Sequence, residues 1–368
     1  MNRFFLISLS IIVIGCHKQD SIEVDLAKSL IIPKKYTVNY SKSDMIIDGK
    51  DDELEWKNAK KTSDFIDISN NNKPLQNTYM KMLWDNKNLY IYARLYEKHI
   101  WGDITKRDAV IFKNNDFEVF IKPTHLYNNY GELEINALGT VWDLLLDKPY
   151  RLGGKANTKW NIENLKSDVF ISGTINNPSD EDNYWSCEIS IPLNEILKIN
   201  GPNYDNVKSG DIWRANFSRV QWEHDLIDGK YSRKKENNKL KREYNWVWTR
   251  QGQINMHIPE NWGFIYFNNV EENNKDFDLK TDLLTEQYGY AIFEKIKYKE
   301  LKYLNDKKID ERIKFNSNSL KNNNISAEFI KTKDGFLIKC KNQIDDFIYT
   351  INQDGIIEYD IWEIQKAE

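Results

Sequence analysis

The stretches NNDFEVFIKP (residues 114–123) and YGELEINALGTVWDLLLDKPYRLGG (residues 130–154) govern how the rest of the chain is read. Both alternate apolar and polar side chains with period two, the mark of strands that bury one face. In the first, Phe117, Val119 and Ile121 share one side, and Asp116 and Glu118 the other. In the second, Leu133, Ile135 and Ala137 point one way, and Glu132, Glu134 and Asn136 the other. The pattern predicts a row of carboxylates and one amide held on rigid strands. Such a row suits a polyhydroxylated ligand, a cation or a catalytic carboxylate pair. The solvated outer face of an ordinary sheet would give the same alternation.

The flanking sequence continues in short strands. Thr78–Leu83 and Leu89–Tyr96 surround Asp85-Asn86-Lys87-Asn88, a composition suited to a hairpin turn. Further strands are expected at Val169–Thr174, Trp185–Ile191, Trp213–Val220 and Trp262–Phe267, with short helices at Glu53–Ala59 and Asn194–Lys198. Many short strands separated by turn signals indicate an all-β sandwich over residues 41–268. The polar run at 269–276 predicts a linker. Residues 277–368 read as a small α+β domain, with a helical region within Leu279–Ile313 and tight hairpins at Asp334-Gly335 and Asp354-Gly355.

The chain opens MNRFFLISLSIIVIGC, a basic residue followed by an apolar run too short for a comfortable membrane span. Val13-Ile14-Gly15-Cys16 looks like a bacterial lipobox, which makes 1–15 a signal peptide, Cys16 the lipidated residue and 16–40 a polar tether. An ordinary signal peptide or an anchor helix would share the apolar run. No aspartate directly follows Cys16, which points to the outer membrane. Composition narrows the function. The chain has 12 Trp and 20 Tyr and a formal net charge of -4, with no basic stripe to accompany the aromatics, so no nucleic-acid partner is expected. Besides Cys16 only Cys187 and Cys340 occur, in different expected domains, which argues against a disulfide framework.

Several stretches, in order, resemble the carbohydrate-binding module family 9-like domains. They are Ile46-Ile47-Asp48-Gly49-Lys50 with Trp56, Leu83-Trp84-Asp85, Asn115 through Ile121, Trp185 through Pro192, Gly210 through Phe217, and Pro259-Glu260-Asn261-Trp262-Gly263. The resemblance implies a sugar-binding β-sandwich, often with structural calcium. It implies polar sugar contacts at Glu118, Glu134 and Asn136, and puts Phe112 where the family has its first stacking tryptophan. The second stacking position falls on Met256 or His257.

Sugar recognition combines flat aromatic faces against the ring's C–H side with directional bonds to its hydroxyls. Glu118, Glu132, Glu134 and Asn136 supply acceptors and an amide; Arg151, Arg214 and Asn216 could add donors. Phe112, Trp142, Trp222, Trp246 and Trp248 are the candidate faces. Trp84, Trp185, Trp213 and Trp262 sit among apolar strand residues and read as core. Calcium ligands could come from Asp48, Asp51, Asp52, Asp103 or Asp108, although none lies in an EF-hand pattern. The ligand expected is thus a polysaccharide or oligosaccharide, bound without cleavage by a lipid-anchored protein of the cell envelope. One alternative is a glycan hydrolase using Glu118 and Glu134. A more remote one is a haem-binding sandwich, but Met256 and His257, if neighbours on a strand, would face opposite ways.

Overall fold

The computed structural model describes residues 21–26, 31–123, 128–201, 206–269, 283–320, 324–342 and 347–361. The leader, Cys16 and all but the first residue of the expected linker lie outside these residues. The strands are β1 (Ser21–Glu23), β2 (Lys35–Tyr40), β3 (Thr78–Trp84), β4 (Asn88–Tyr96), β5 (Asp116–Lys122), β6 (Tyr130–Asn136) and β7 (Val141–Leu146). They continue as β8 (Lys166–Ser172), β9 (Tyr184–Pro192), β10 (Ile212–Gln221), β11 (Tyr244–Val247) and β12 (Gly263–Asn268). The hairpin turn between β3 and β4 is closed by Asp85, whose Oδ1 accepts the backbone N–H groups of Lys87 and Asn88 at 2.7 and 2.6 Å.

The hydrogen-bonded order is β8-β9-β4-β3-β2-β12-β10-β5-β6-β7, with β11 also paired to β10. This path folds over on itself as a sandwich. Met80, Met82, Trp84, Ile91, Ala93, Leu95, Trp185 and Ile189 from one half meet Phe117, Val119, Ile121, Leu133, Ile135, Trp213 and Phe217 from the other. Each large apolar side chain so buried stabilises the fold by roughly 1.5–3 kcal/mol. The apolar half of the β5 and β6 alternation therefore lies between the two layers.

The segment expected to be a polar tether contributes two strands. β2 inserts between β3 and β12, parallel to both, because Tyr36 and Val38 alternate into the core. β1 pairs in parallel with β13 (Arg312–Asn316) of the tail. The tail sheet then runs through β14 (Ile325–Thr332), β15 (Gly335–Asn342), β16 (Phe347–Asn352) and β17 (Ile357–Ile361). The long helix Leu283–Tyr298 packs on it through Tyr288, Ile292, Phe293 and Ile296. Both expected tail hairpins form, between β14 and β15 and between β16 and β17. Cys187 and Cys340 are free and buried. Among the described residues no helix is long and apolar enough to cross a membrane.

Candidate functional site

Strand pairing aligns the polar half of the alternation. Glu118 of β5 lies opposite Glu134 of β6 and Ser218 of β10. Phe120 lies opposite Glu132, and Trp142 of β7 lies opposite Glu134. Asp116 lies opposite Asn136 and Val220. This face is not the solvated surface that alternation suggested, since every residue of β5 and β6 is buried. A second apolar layer covers it, in which Ile68, Val247, Met256 and Trp262 pack against Phe120, Tyr130, Leu144 and Leu146.

The carboxylates are thus drawn into a protein interior. Glu118 and Glu132 are each 6% exposed and Glu134 is 2% exposed. One oxygen from each lies within 4.8 Å of the others. Two ionised carboxylates at 4.8 Å repel by about 3 kcal/mol at an effective dielectric of about 20. Burial raises the Glu118 carboxyl to about 7. Burial first, then neighbouring carboxylates, holds Asp116, Glu132 and Glu134 well above the usual range. Glu134 Oε2 accepts the Phe112 N–H at 2.9 Å. Asp116 Oδ2, Glu118 Oε2, Glu132 Oε2, the Ser218 hydroxyl and the Trp142 Nε1 are all buried without a hydrogen-bond partner. A native interior leaves few such groups, and each calls for an explanation such as a bound water, ion or ligand.

Aromatic rings border the cluster. Phe112 is 39% exposed and Tyr150 48% exposed, while Trp142 is half-buried. Tyr150 meets the half-buried His257 edge-on, with ring centroids 4.6 Å apart. The loop behind Tyr150 turns through Gly153, whose φ of 78° suits glycine. Within this one turn Tyr150 reaches the rim, Arg151 an ion pair and Leu152 the tail core. Trp222 supports Phe112 from below, its Nε1 donating to the Phe112 carbonyl at 2.8 Å.

Several residues expected at the site are committed elsewhere. Arg214 donates to both carboxylate oxygens of Glu286 at 2.8 and 2.9 Å, and to the carbonyls of Glu260 and Trp262. Arg151 grips Glu260 at 2.6 and 2.7 Å and reaches Glu294 at 3.3 Å. Both arginines therefore fasten the sandwich to the tail helix. Asn216 exchanges hydrogen bonds with the backbone of Thr249, and Asn136 clamps the loop carbonyl of Ile104 and the N–H groups of Leu138 and Thr140. Trp246 and Trp248 are core residues. Trp248 lies so close over Gly263 that a Cβ there would stand 2.3 Å from the indole. Trp222 is buried beside Trp101 and Val220. The structure adds Ser218 and Tyr150, which sequence reasoning had not placed at the site, and Asp116, which it had put on the polar face but not among the ligand residues. Asp116 and Ser218 were detectable by the same alternation that marked Glu118.

The aspartates considered for calcium do not converge. Asp48 pairs with Lys50, Asp51 with Lys81 and Arg94, and Asp108 with Arg107, while Asp103 accepts Asn114. Met256 and His257 lie in a loop, not on a strand. Met256 is buried in the outer apolar layer, and His257 Nδ1 lies 2.8 Å from the Tyr130 hydroxyl.

Residues 47–142 match the family described as carbohydrate family 9 binding domain-like. That segment includes Glu118, Glu132, Glu134 and Trp142, so the first half of the sandwich is similar to that family. Among solved structures, the chain is similar to a Bacteroides uniformis protein with a provisional carbohydrate-binding description. Identity is 13%, coverage is 64% of this chain and 99% of that one, and the TM-score is 0.48. It is also similar to a family 9 module from Caldicellulosiruptor kristjanssonii in complex with cellotriose, at 13% identity, 67% and 100% coverage and a TM-score of 0.40. The same organism's family 9 module in complex with glucose aligns at 14% identity, 66% and 100% coverage and a TM-score of 0.39. No curated protein matches the chain.

Proposed function

We propose that the chain binds a glycan at the Glu118/Glu132/Glu134 face without cleaving it, and presents it at the cell envelope from a lipid anchor on Cys16. One observation carries the binding reading: buried carboxylate oxygens lacking partners lie near two partly exposed aromatic residues, Phe112, whose N–H donates to Glu134, and Tyr150, whose hydroxyl feels Glu132 and Glu134, within a segment similar to family 9 modules. The rings offer stacking area and the carboxyl groups offer acceptors, the two elements sugar recognition needs. The environments of Glu118 and Glu134, direct cross-strand partners, favour binding over hydrolysis: both are pushed in the same direction, where an acid and a base need their pKa values pushed apart.

The test is a broad glycan array, including glucose and cellotriose, probed with the mature chain. Binding to a defined glycan without release of reducing sugar supports the reading. No binding across the array removes it. Release of reducing sugar that Glu118→Gln or Glu134→Gln abolishes replaces it with the hydrolase. Anchoring is tested separately, since Cys16→Ser should move the protein from the membrane fraction to the soluble one.

A further inference from the structure

The same cluster carries an inference that does not depend on sugar. Three carboxylates from β5 and β6 place one oxygen each within 4.8 Å of the others, and no lysine or arginine among the described residues forms an ion pair with them. Arg151 and Arg214 are spent on Glu260, Glu286 and Glu294. The Ser218 hydroxyl, aligned with Glu118 across the strands, is fully buried, lies close enough to the Glu118 carboxylate to favour its charged form, and has no other hydrogen-bond partner. A buried hydroxyl and buried carboxylate oxygens left open toward one another describe an oxygen cage lacking its centre.

We propose that Glu118, Glu132 and Glu134 bind one divalent cation, with Ser218 beside it, and that calcium is the ion the cage fits. The donors are oxygens alone, which selects hard cations. Calcium–oxygen bonds of about 2.3–2.6 Å let oxygens on opposite sides of the ion stand about 5 Å apart. The observed spread of at most 4.8 Å thus fits inside one coordination sphere. Magnesium has shorter bonds, demands a near-ideal octahedron and dehydrates reluctantly, so a cage of three protein carboxylates suits it less well. The ion would supply the positive charge that the fold does not, near Phe112 and Tyr150.

The experiment uses the full mature chain stripped with a chelator and titrated with calcium chloride alone. Calorimetry should give one site, and 1 mM calcium should raise the melting temperature by about 5 °C or more, as expected for a ligand that binds only the native state. Magnesium should do less. Glu118→Gln and Glu132→Gln should each weaken calcium binding at least about tenfold, as the loss of one charged ligand implies. Because either variant could misfold, crystals of the unaltered chain soaked in terbium chloride supply a second measurement. An anomalous peak bonded to the three carboxylates supports the site. The inference is overturned by the absence of any thermal shift, by a shift that persists in both variants, or by a terbium peak found only elsewhere. The titration contains no sugar, so its failure and that of the glycan array are separate results.

Discussion

One sheet face, carried by β5, β6 and β10, treats buried charge in two ways. At the end of Lys122 and Arg214, cations meet carboxylates. Glu286 reaches across from the tail helix to Arg214, and the Lys122 ammonium, lowered to about 8 by burial and Arg214, is partly restored by Glu286 and Glu260. Two to four positions along the same strands, Glu118, Glu132 and Glu134 stand together with no basic partner among the described residues. The strands, the degree of burial and the covering layer are shared, so solvent access does not explain the contrast. The first end is complete as a structural joint. The second keeps its charge unbalanced, which is the usual signature of a place built around something that binds.

The largest effect should come from breaking the balanced end. Arg214→Ala leaves Glu286 buried without its counter-charge, a change that typically costs about 3–5 kcal/mol. Denaturant unfolding should show that loss, and limited proteolysis should cut the tail first, because Arg214 joins the sandwich to the helix Leu283–Tyr298. If Arg214→Ala unfolds like the parent, the joint is not what holds the tail.

His257 marks the boundary between the two ends. Burial and then Arg151 lower its imidazole from 6.5 to about 4, so the field it feels is that of the cationic end. The sign follows from linkage: a depressed folded pKa gives stability that is fully present above the unfolded value and lost as pH falls through the folded one. Stability should therefore decline between about pH 6.5 and 4, by about 1–2 kcal/mol after allowing for partial exposure. The measurement is unfolding free energy against pH. His257→Gln should flatten the profile across that window. An unchanged slope would mean that the His257 imidazole is not depressed in the folded protein.

A smaller effect, of opposite direction, is expected at the unbalanced end. Glu118→Gln removes one member of a repelling group, so in chelator at pH 8 the variant should be more stable than the parent by about 1 kcal/mol. Replacing a buried carboxylate rarely stabilises a protein, and a loss comparable to that of Arg214→Ala would show the two ends to be alike.

How far the sequence reveals this contrast depends on how far apart the interacting residues lie. The strands were legible because period-two alternation is local, and the turn at Asp85 carries its own hydrogen-bonding chemistry. Trp84, Trp185 and Trp213 were legible as core for the same reason. The fate of the polar face was not. Its cover comes from Met256 and Trp262, more than a hundred residues beyond β6, and alternation alone cannot distinguish a solvated face from one later roofed over. Arg214 read as a free donor because Glu286 lies 72 residues further on, in a helix expected to belong to another domain. Trp246 and Trp248 read as candidate stacking faces because β11 is short, ending at Val247, and their partners, Arg219 and Phe217, come from β10. The acidic triad itself was visible, but its lack of compensation became visible only once every nearby arginine had been assigned a partner.

The smallest effect on stability should coincide with a clear effect on binding, at the rim. Tyr150 is 48% exposed and touches His257 by its edge, so Tyr150→Ala should change unfolding free energy by no more than about 0.5 kcal/mol. Phe112 is different, because its backbone N–H caps Glu134 whatever side chain it carries. Phe112→Ala should therefore also leave the carboxylate geometry in place while deleting a ring. If the unbalanced end is a sugar site, each substitution should weaken binding of the array-identified glycan by about tenfold, near 1.4 kcal/mol, as loss of one stacking face implies. Calcium affinity should hold, since neither side chain offers the ion a ligand. A glycan whose affinity ignores both rings but falls with Arg214→Ala would move the binding surface to the tail joint, and the contrast between the two ends would then separate two structural features, not a joint from a site.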